Sequence, residues 1–311
     1  IFVPPDTIVP KELIDKYKLE FLKSNGRVRP LKLRGIISYG LVLSLPEQTI
    51  NTYLEGYNIS EELGFTKWET QENFESLGRR DPIKKAEQHS FFHKYTDIEN
   101  FKHYPDVFVE GEDIIISEKL HGSCWRASTY ENQSNSIFRK IKDFFCGKQL
   151  SYTYGSHNVE LYPPKSSLKQ DQNIYWYLLK KYNLDKKIPK DYIVYGEAIG
   201  PSVQDLSYGL TEIDLFVFDV SHKGKYLNYE EFKMFCNELQ LKRVPELYIG
   251  KWQKELAAIY STGTSLIFPD QIREGCVIKP LKEDYHFDIG RKILKVINPI
   301  YLIRKDGTEG H

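Results

Sequence analysis

Four short apolar runs, each bordered by charge, limit most sharply what this chain can fold into. Residues 113–118, 192–197, 215–220 and 275–278 are four to six residues long and rich in β-branched and aromatic side chains. Runs of that length, bounded by polar or glycine residues, read as strands rather than helices. Residues 168–182 and 229–241 read as helices. In the second, Asn228 precedes Glu231 by three residues, a capping-box pattern, and Phe232, Phe235, Cys236 and Leu239 share one face. A strand-dominated chain with occasional helices is consistent with an α+β fold. No G-x-G-x-x-G is present, so a dinucleotide fold lacks support. Gly147-Lys148 lacks both the earlier glycine and the following Ser or Thr of a phosphate-binding loop, and no glutamate follows His89 to make a zinc-protease motif with His93.

Charge separates the chain into blocks. Lys plus Arg number 43 and Asp plus Glu number 43, so the chain is no generic polycation, and any polyanion must be held by a local patch. Residues 21–46 carry Lys23, Arg27, Arg29, Lys32 and Arg34 and no acid. Residues 47–100 carry eleven acids and six bases, and residues 126–195 twelve bases and six acids. Residues 31–35 and 36–43 look like strands of a small barrel, whereas residues 47–90 lack a firm period and read as a linker with one short helix. At 311 residues about two domains are expected. Residues 1–90 form the first with its linker, residues 91–305 the second, and residues 306–311 a tail. The opening Ile1-Phe2-Val3 is strand-like and starts without Met, which suggests that a preceding part of the barrel is missing. The four cysteines lie far apart and form no C-x-x-C pair, which points to a reducing, intracellular and cytoplasmic setting. There is no apolar run of membrane-spanning length and no basic-then-apolar leader.

The most informative stretch is Glu118-Lys119-Leu120-His121-Gly122-Ser123, where a lysine sits just past an apolar strand beside a turn-forming glycine. Alone, K-x-x-G is a weak pattern. An ordered set follows it: Tyr195-Gly196-Glu197, then Phe216-Val217-Phe218-Asp219-Val220, then Arg273-Glu274-Gly275-Cys276-Val277-Ile278-Lys279, then Arg291-Lys292-Ile293-Leu294-Lys295. This order resembles the covalent nucleotidyltransferase superfamily of polynucleotide ligases and RNA capping enzymes. The Glu-Lys-Leu-His-Gly-Ser form resembles RNA ligases with an RNA ligase 2-like first motif. The stretch from Val28 to Leu43 is similar to the RNA ligase 5 group, in which an OB-like domain precedes the catalytic domain. The resemblance therefore implies an OB-like β domain followed by a nucleotidyltransferase domain of antiparallel sheets with helices.

The resemblance also implies a reaction and its residues. Lys119 is the expected nucleophile toward the α-phosphate of ATP, giving lysyl-AMP. AMP then passes to an RNA 5′-phosphate, and a 3′-hydroxyl seals the strand. A lysine attacks only when neutral, and with a reference pKa of about 10.4 a free lysine pays ~4.6 kcal/mol for this at neutral pH. Lys295, Arg291 or Lys292 and a bound Mg²⁺ are the cations expected to help. Glu197 and Glu274 are expected to hold Mg²⁺ or Mn²⁺ through waters. Glu118 and Gly122 are expected at the nucleotide. Phe216 and Phe218 share a face by period 2, so either ring is placed to stack on adenine. Lys292 and Lys295 differ by three and face opposite sides of a regular strand, with Lys295 favoured for the phosphates; Glu274 and Lys279 also differ in parity. His121 stands where many relatives have Asp, and is expected to contact phosphate or assist transfer. His157 occupies the place of a family arginine, with Arg126 and Arg139 as rivals. Lys23, Arg27, Arg29, Lys32 and Arg34 are the expected phosphate contacts for duplex or nicked RNA. A monomer without a membrane role is expected. The alternatives are a DNA ligase or capping-type enzyme, and an RNA-binding module without activity.

Overall fold

The apolar strands pair as their period-2 patterns require, and the pairing gathers their charged ends. The computed structural model describes residues 1–19, 21–22, 26–33, 36–38, 40–44, 58–67, 89–131, 150–163 and 173–303. One compact unit is built on Ile1–Glu72 and another on Asn73–Tyr301.

The first unit contains β1 (Phe2–Val3), β2 (Thr7–Ile8), α1 (Lys11–Lys16), β3 (Leu31–Leu33), β4 (Ile36–Ser38), β5 (Leu41–Val42) and β6 (Thr66–Lys67). The strands pair antiparallel as β1 with β5, β2 with β6 and β3 with β4. Val3, Val9, Leu19, Leu22, Val28 and Leu43 form the core. Two expectations change here. Helix α1 was not anticipated; it is six residues long and buries none of them, so it leaves no apolar period to read. Residues 58–67, expected within a linker, instead carry β6, which returns to β2.

The second unit runs through β7 (Glu99–Asn100), β8 (Asp113–Lys119), β9 (Ser123–Tyr130), β10 (Ser151–Gly155), β11 (Glu160–Leu161), α2 (Ile174–Lys181), α3 (Leu184–Lys187), β12 (Tyr192–Ile199), β13 (Asp214–His222) and β14 (Lys225–Tyr226). It continues with α4 (Tyr229–Leu239), β15 (Glu246–Lys251), α5 (Glu255–Ser261), β16 (Gly275–Pro280), β17 (Tyr285–His286), β18 (Gly290–Arg291) and β19 (Leu294–Ile297), ahead of α6 (Pro299–Leu302). The four expected strands are thus β8, β12, β13 and β16, each extending beyond its expected bounds except at the start of β8, β12 and β16. Helix α4 carries the expected capping box at Asn228. Helix α2 starts where the Asn173 side chain accepts the Trp176 N–H at 2.9 Å, an N-cap that sets the first turn.

A six-stranded sheet has the order β11-β10-β9-β12-β13-β14, and a five-stranded sheet the order β15-β8-β16-β19-β7. All neighbours are antiparallel except β19 and β7. On one face of the six-stranded sheet, Trp125, Ala127, Val194, Ala198, Leu215 and Val217 pack against Leu178 of α2 and Phe232 and Phe235 of α4. On one face of the five-stranded sheet, Ile114, Ile116, Cys276, Ile278 and Leu294 pack against Trp252 and Leu256. A third cluster joins the sheets: Ile193 and Tyr195 meet Ile293, Phe218 and Val277. Period 2 turns Ser117 and Lys119 of β8 away from the Ile114 and Ile116 face, and the register sets them opposite Val277 and Gly275 of β16.

Candidate active site

The site starts at the end of β8. Lys119 closes that strand and Ser123 opens β9, so Leu120, His121 and Gly122 form the intervening turn. Only glycine fits at 122, because a Cβ there would lie 2.1 Å from the Ala198 carbonyl oxygen. Gly275 is needed for a similar reason: its Cβ would lie 2.1 Å from the Val296 carbonyl oxygen. That close approach sets β16 against β19, while on its other side Gly275 pairs with Lys119 of β8, so its neighbour Glu274 comes to the lysine. Lys119 is 8% exposed and Glu274 fully buried, and Lys119 Nζ donates to Glu274 Oε1 at 2.8 Å.

Glu197 enters from the six-stranded sheet, paired with Cys124 on β9 and Phe216 on β13. Its side chain keeps part of its surface open, yet burial pushes its carboxyl up to about 8, with the Glu274 charge adding to the rise and the Lys119 ammonium and Gly122 N–H opposing it. The register slips between Tyr195 and Gly196, leaving Phe218 as an extra residue on β13, as in a β-bulge. Phe216 and Phe218 both lie against Leu120, Ile199, Tyr208 and Val244, so the two rings share a face, as period 2 implies.

Glu118 is 2% exposed. Its Oε2 accepts the Leu266 N–H at 2.8 Å, while its Oε1 is buried without a partner. Burial raises the carboxyl above its usual range, and hydrogen bonds from Ser265 and Leu266 restrain the rise. The loop supplying those donors is pinned by Arg273, whose guanidinium donates to the carbonyls of Tyr260, Thr262 and Thr264 at 2.8, 3.1 and 2.8 Å. His121 Nε2 lies 2.7 Å from Asp205 Oδ1, and its backbone N–H donates to the Tyr208 hydroxyl at 2.6 Å.

Of the other expected residues, Lys295 shares the face of Lys119, and those with described contacts take other partners. Lys279 Nζ donates to Asp219 Oδ2 at 3.1 Å rather than joining Glu274; four residues of β16, Gly275 to Ile278, lie between them, and a buried acid takes its charge. Lys292 precedes β19 and donates to Glu112 Oε2 at 2.8 Å. Lys295 pairs with Val277, which in turn pairs with Ser117, so it shares the sheet face of Ser117 and Lys119, opposite in parity to the β19 core residues. Arg291 donates to Asp219 at 2.7 Å and also to Glu283. His157 Nε2 lies 3.1 Å from Asp97 Oδ1, and Arg126 donates to the Ser156 and Phe92 carbonyls at 2.8 and 2.7 Å. Neither has a described contact with Lys119, and Arg139 lies outside the described residues. Arg27 is corrected: it is 3% exposed and bound to Asp6, which removes it from the surface where a phosphate would meet it. Arg29 is half-buried, and the side chains of Lys23, Lys32 and Arg34 lie outside the described residues.

The family model described as RNA ligase matches residues 112–297, a span that holds the lysine turn, both carboxylates and Lys295. The chain belongs to the RNA ligase family. Its fold is also that of solved members. The Naegleria gruberi RNA ligase, as a lysine variant with ATP and manganese, matches at a TM-score of 0.72 and 22% identity, over 97% of this chain and 85% of that one. The same enzyme with pyrophosphate gives 0.72, again at 22% identity with 97% and 85% covered. A glutamate variant of it with AMP and manganese gives 0.71 at the same identity and coverage. No curated protein sequence matches the chain. The expected superfamily and α+β fold therefore hold for this RNA ligase. Among its described residues no helix is long and apolar enough to cross a membrane, and Cys124, Cys236 and Cys276 carry no disulfide. Asp205 and Tyr208 contact His121, which the sequence did not reveal, because a carboxylate or hydroxyl in a loop between strands looks like any solvated turn residue.

Proposed function

We propose that this RNA ligase uses ATP to adenylylate Lys119, passes AMP to an RNA 5′-phosphate and seals it to a 3′-hydroxyl. The observation that carries the reading is the buried Lys119–Glu274 pair beside Glu197, within the family match. Glu274 holds the amine in place and can take a proton from it before attack. The unpartnered Glu118 Oε1 suits a donor on the nucleotide, and Phe216 or Phe218 offers a ring for adenine. Lys295 is suited to the phosphates by its face.

A divalent cation, Mg²⁺ or Mn²⁺, fits this donor set. Among the described residues no three His, Cys, Asp or Glu side chains form a direct cage; burial lifts the Glu197 carboxyl, and repulsion from the Glu274 charge adds to the rise. A hydrated cation bound by one or two carboxylates suits Mg²⁺ and relieves that repulsion. When bound it neutralises charge developing on phosphate. The first unit serves as an OB-like module that, with Arg29, Lys23, Lys32 and Arg34, contacts the RNA backbone at a nick. The enzyme acts as a cytoplasmic monomer in RNA repair.

Incubation with labelled ATP and Mg²⁺ should give a covalent adduct on the wild type and none on Lys119→Ala. Sealing of nicked duplex RNA should follow. No adduct from ATP, or an adduct from GTP alone, would overturn the reading.

A further inference from the structure

One loop holds His121 from two sides. After β12 the chain passes through Ser202 and Tyr208 at positive φ, 64° and 54°, a conformation that non-glycine residues seldom adopt. From this loop Tyr208 takes the His121 N–H at 2.6 Å and Asp205 meets His121 Nε2 at 2.7 Å. His121 is 2% exposed, and its Nδ1 is buried with no hydrogen-bond partner. An ionised carboxylate has no proton to give, so Nε2 is the donor. A neutral imidazole protonated at Nε2 carries its lone pair on Nδ1. Leaving a buried acceptor unsatisfied costs free energy, and such groups in folded proteins call for an explanation such as a catalytic role.

We propose that Asp205 is a positioning residue that locks His121 in the Nε2–H tautomer, so that Nδ1 accepts the proton of the RNA 3′-hydroxyl as the strand is sealed. The proposal rests on the RNA ligase reading above. In that step the 3′-oxygen bonds to the phosphorus of the adenylylated 5′-phosphate. The bond from that phosphorus to AMP breaks, and AMP leaves with the electron pair. The hydroxyl proton passes to Nδ1, and the imidazolium so formed faces the Asp205 carboxylate. The same tautomer rules out Nδ1 as a donor to a phosphate oxygen. Lysine adenylylation involves no RNA hydroxyl, so it does not depend on Asp205.

The test separates the two steps in Asp205→Asn and Asp205→Glu. Single-turnover lysyl-AMP formation is read with labelled ATP, and sealing is read with RNA already carrying the 5′-adenylate. In Asp205→Asn, adenylylation should stay within about threefold of wild type, while sealing falls roughly 10²-fold, the loss typical of a misplaced general base. Asp205→Glu should restore most of the sealing. With ¹⁵N-histidine labelling, the resonance absent from His121→Gln should show an unprotonated Nδ1 in the wild type and a tautomer mixture in Asp205→Asn. Equal losses in both steps, unchanged sealing, or a wild-type His121 protonated at Nδ1 and bare at Nε2 would each overturn the proposal. Should Asp205→Asn fail to fold, the wild-type spectrum and Asp205→Glu still decide it. A wild type that never forms lysyl-AMP strikes the underlying reading instead, because the pre-adenylylated RNA bypasses that step.

Discussion

Glu197 sits in the site at a cost that changes with pH. Its folded carboxyl titrates near 8, chiefly through burial, against about 4.3 for an exposed glutamate. A group raised in this way contributes full stability below its unfolded pKa, and that contribution disappears as pH rises through the folded value. Glu197→Gln has no charge to bury. At pH 9, without divalent cation, the variant should therefore melt above the wild type by about a few degrees, and the gap should close toward pH 4. Added Mg²⁺ should raise the wild-type midpoint at pH 9 and leave that of Glu197→Gln nearly unmoved, because the cation relieves only a charged pair. Melting curves across pH, with and without Mg²⁺, check this. A variant that loses stability at pH 9 would show that Glu197 is not held against its charge.

Two elements set the site by close approach and by buried charge. The turn between β8 and β9 lies so near β12 that Gly122→Ala must push the Ala198 carbonyl away from 2.1 Å. Lys119 stands three residues earlier, and displacements of about 1 Å at reacting groups can cost 10²-fold. A loss of that order in the rate of lysyl-AMP formation is expected for Gly122→Ala. At β13, Asp219 is fully buried between Arg291, Lys279 and the Tyr95 hydroxyl, at 2.7, 3.1 and 2.8 Å. It ties β13 to β16 and β18. Burial works against its charge, but Arg291 and Lys279 hold its carboxyl below the usual range. Removing one partner of a buried ion pair costs about 3–5 kcal/mol, so Asp219→Asn should lose roughly that much in urea unfolding at pH 7. The loss should shrink as pH falls below about 4, where the unfolded carboxylate takes up a proton that the folded one, held below that range, does not. These contacts mark what could be read from the chain beforehand. The motif order of the resemblance picked out Lys119, Glu197 and Glu274 as candidates that the fold brings together, and strand parity put Phe216 and Phe218 on one face. Lys279 could not be assigned that way, since its partner lies 60 residues away on another strand beside a bulge. Arg27 was taken for a surface cation, although Asp6, twenty-one residues earlier, buries it. His121 was recognised, but Asp205 was not, because only the fold brings a loop carboxylate to its ring.

At the scale of the whole molecule, the described cores of the two units differ in the side chains they bury. Among the described residues the core cluster of the first has six buried side chains, all aliphatic. The largest core of the second has twenty-two, including Trp125, Tyr154, Tyr175 and Phe232, with a second core of ten around Trp252. Each fully buried aliphatic or aromatic side chain contributes about 1.5–3 kcal/mol relative to exposure, and this must offset about 1–2 kcal/mol of backbone entropy for every ordered residue. The described cluster holding β1 and β5 has no fully buried aromatic ring, so those strands are held by less buried apolar area than the aromatic-rich clusters give β8, β9, β12 and β16. Local opening follows margin, since amides exchange through the least costly opening that exposes them. Backbone amides in β1, β2, α1 and β5 should therefore exchange at least roughly tenfold faster than those in β8, β9, β12 and β16 under native conditions. The ordering should hold with Asp219→Asn, whose effect is confined to the second unit and narrows the difference from one side only. Exchange followed by mass spectrometry on peptides from both units measures it directly. Equal protection in the two sets of strands would overturn the link between described cluster size and local opening.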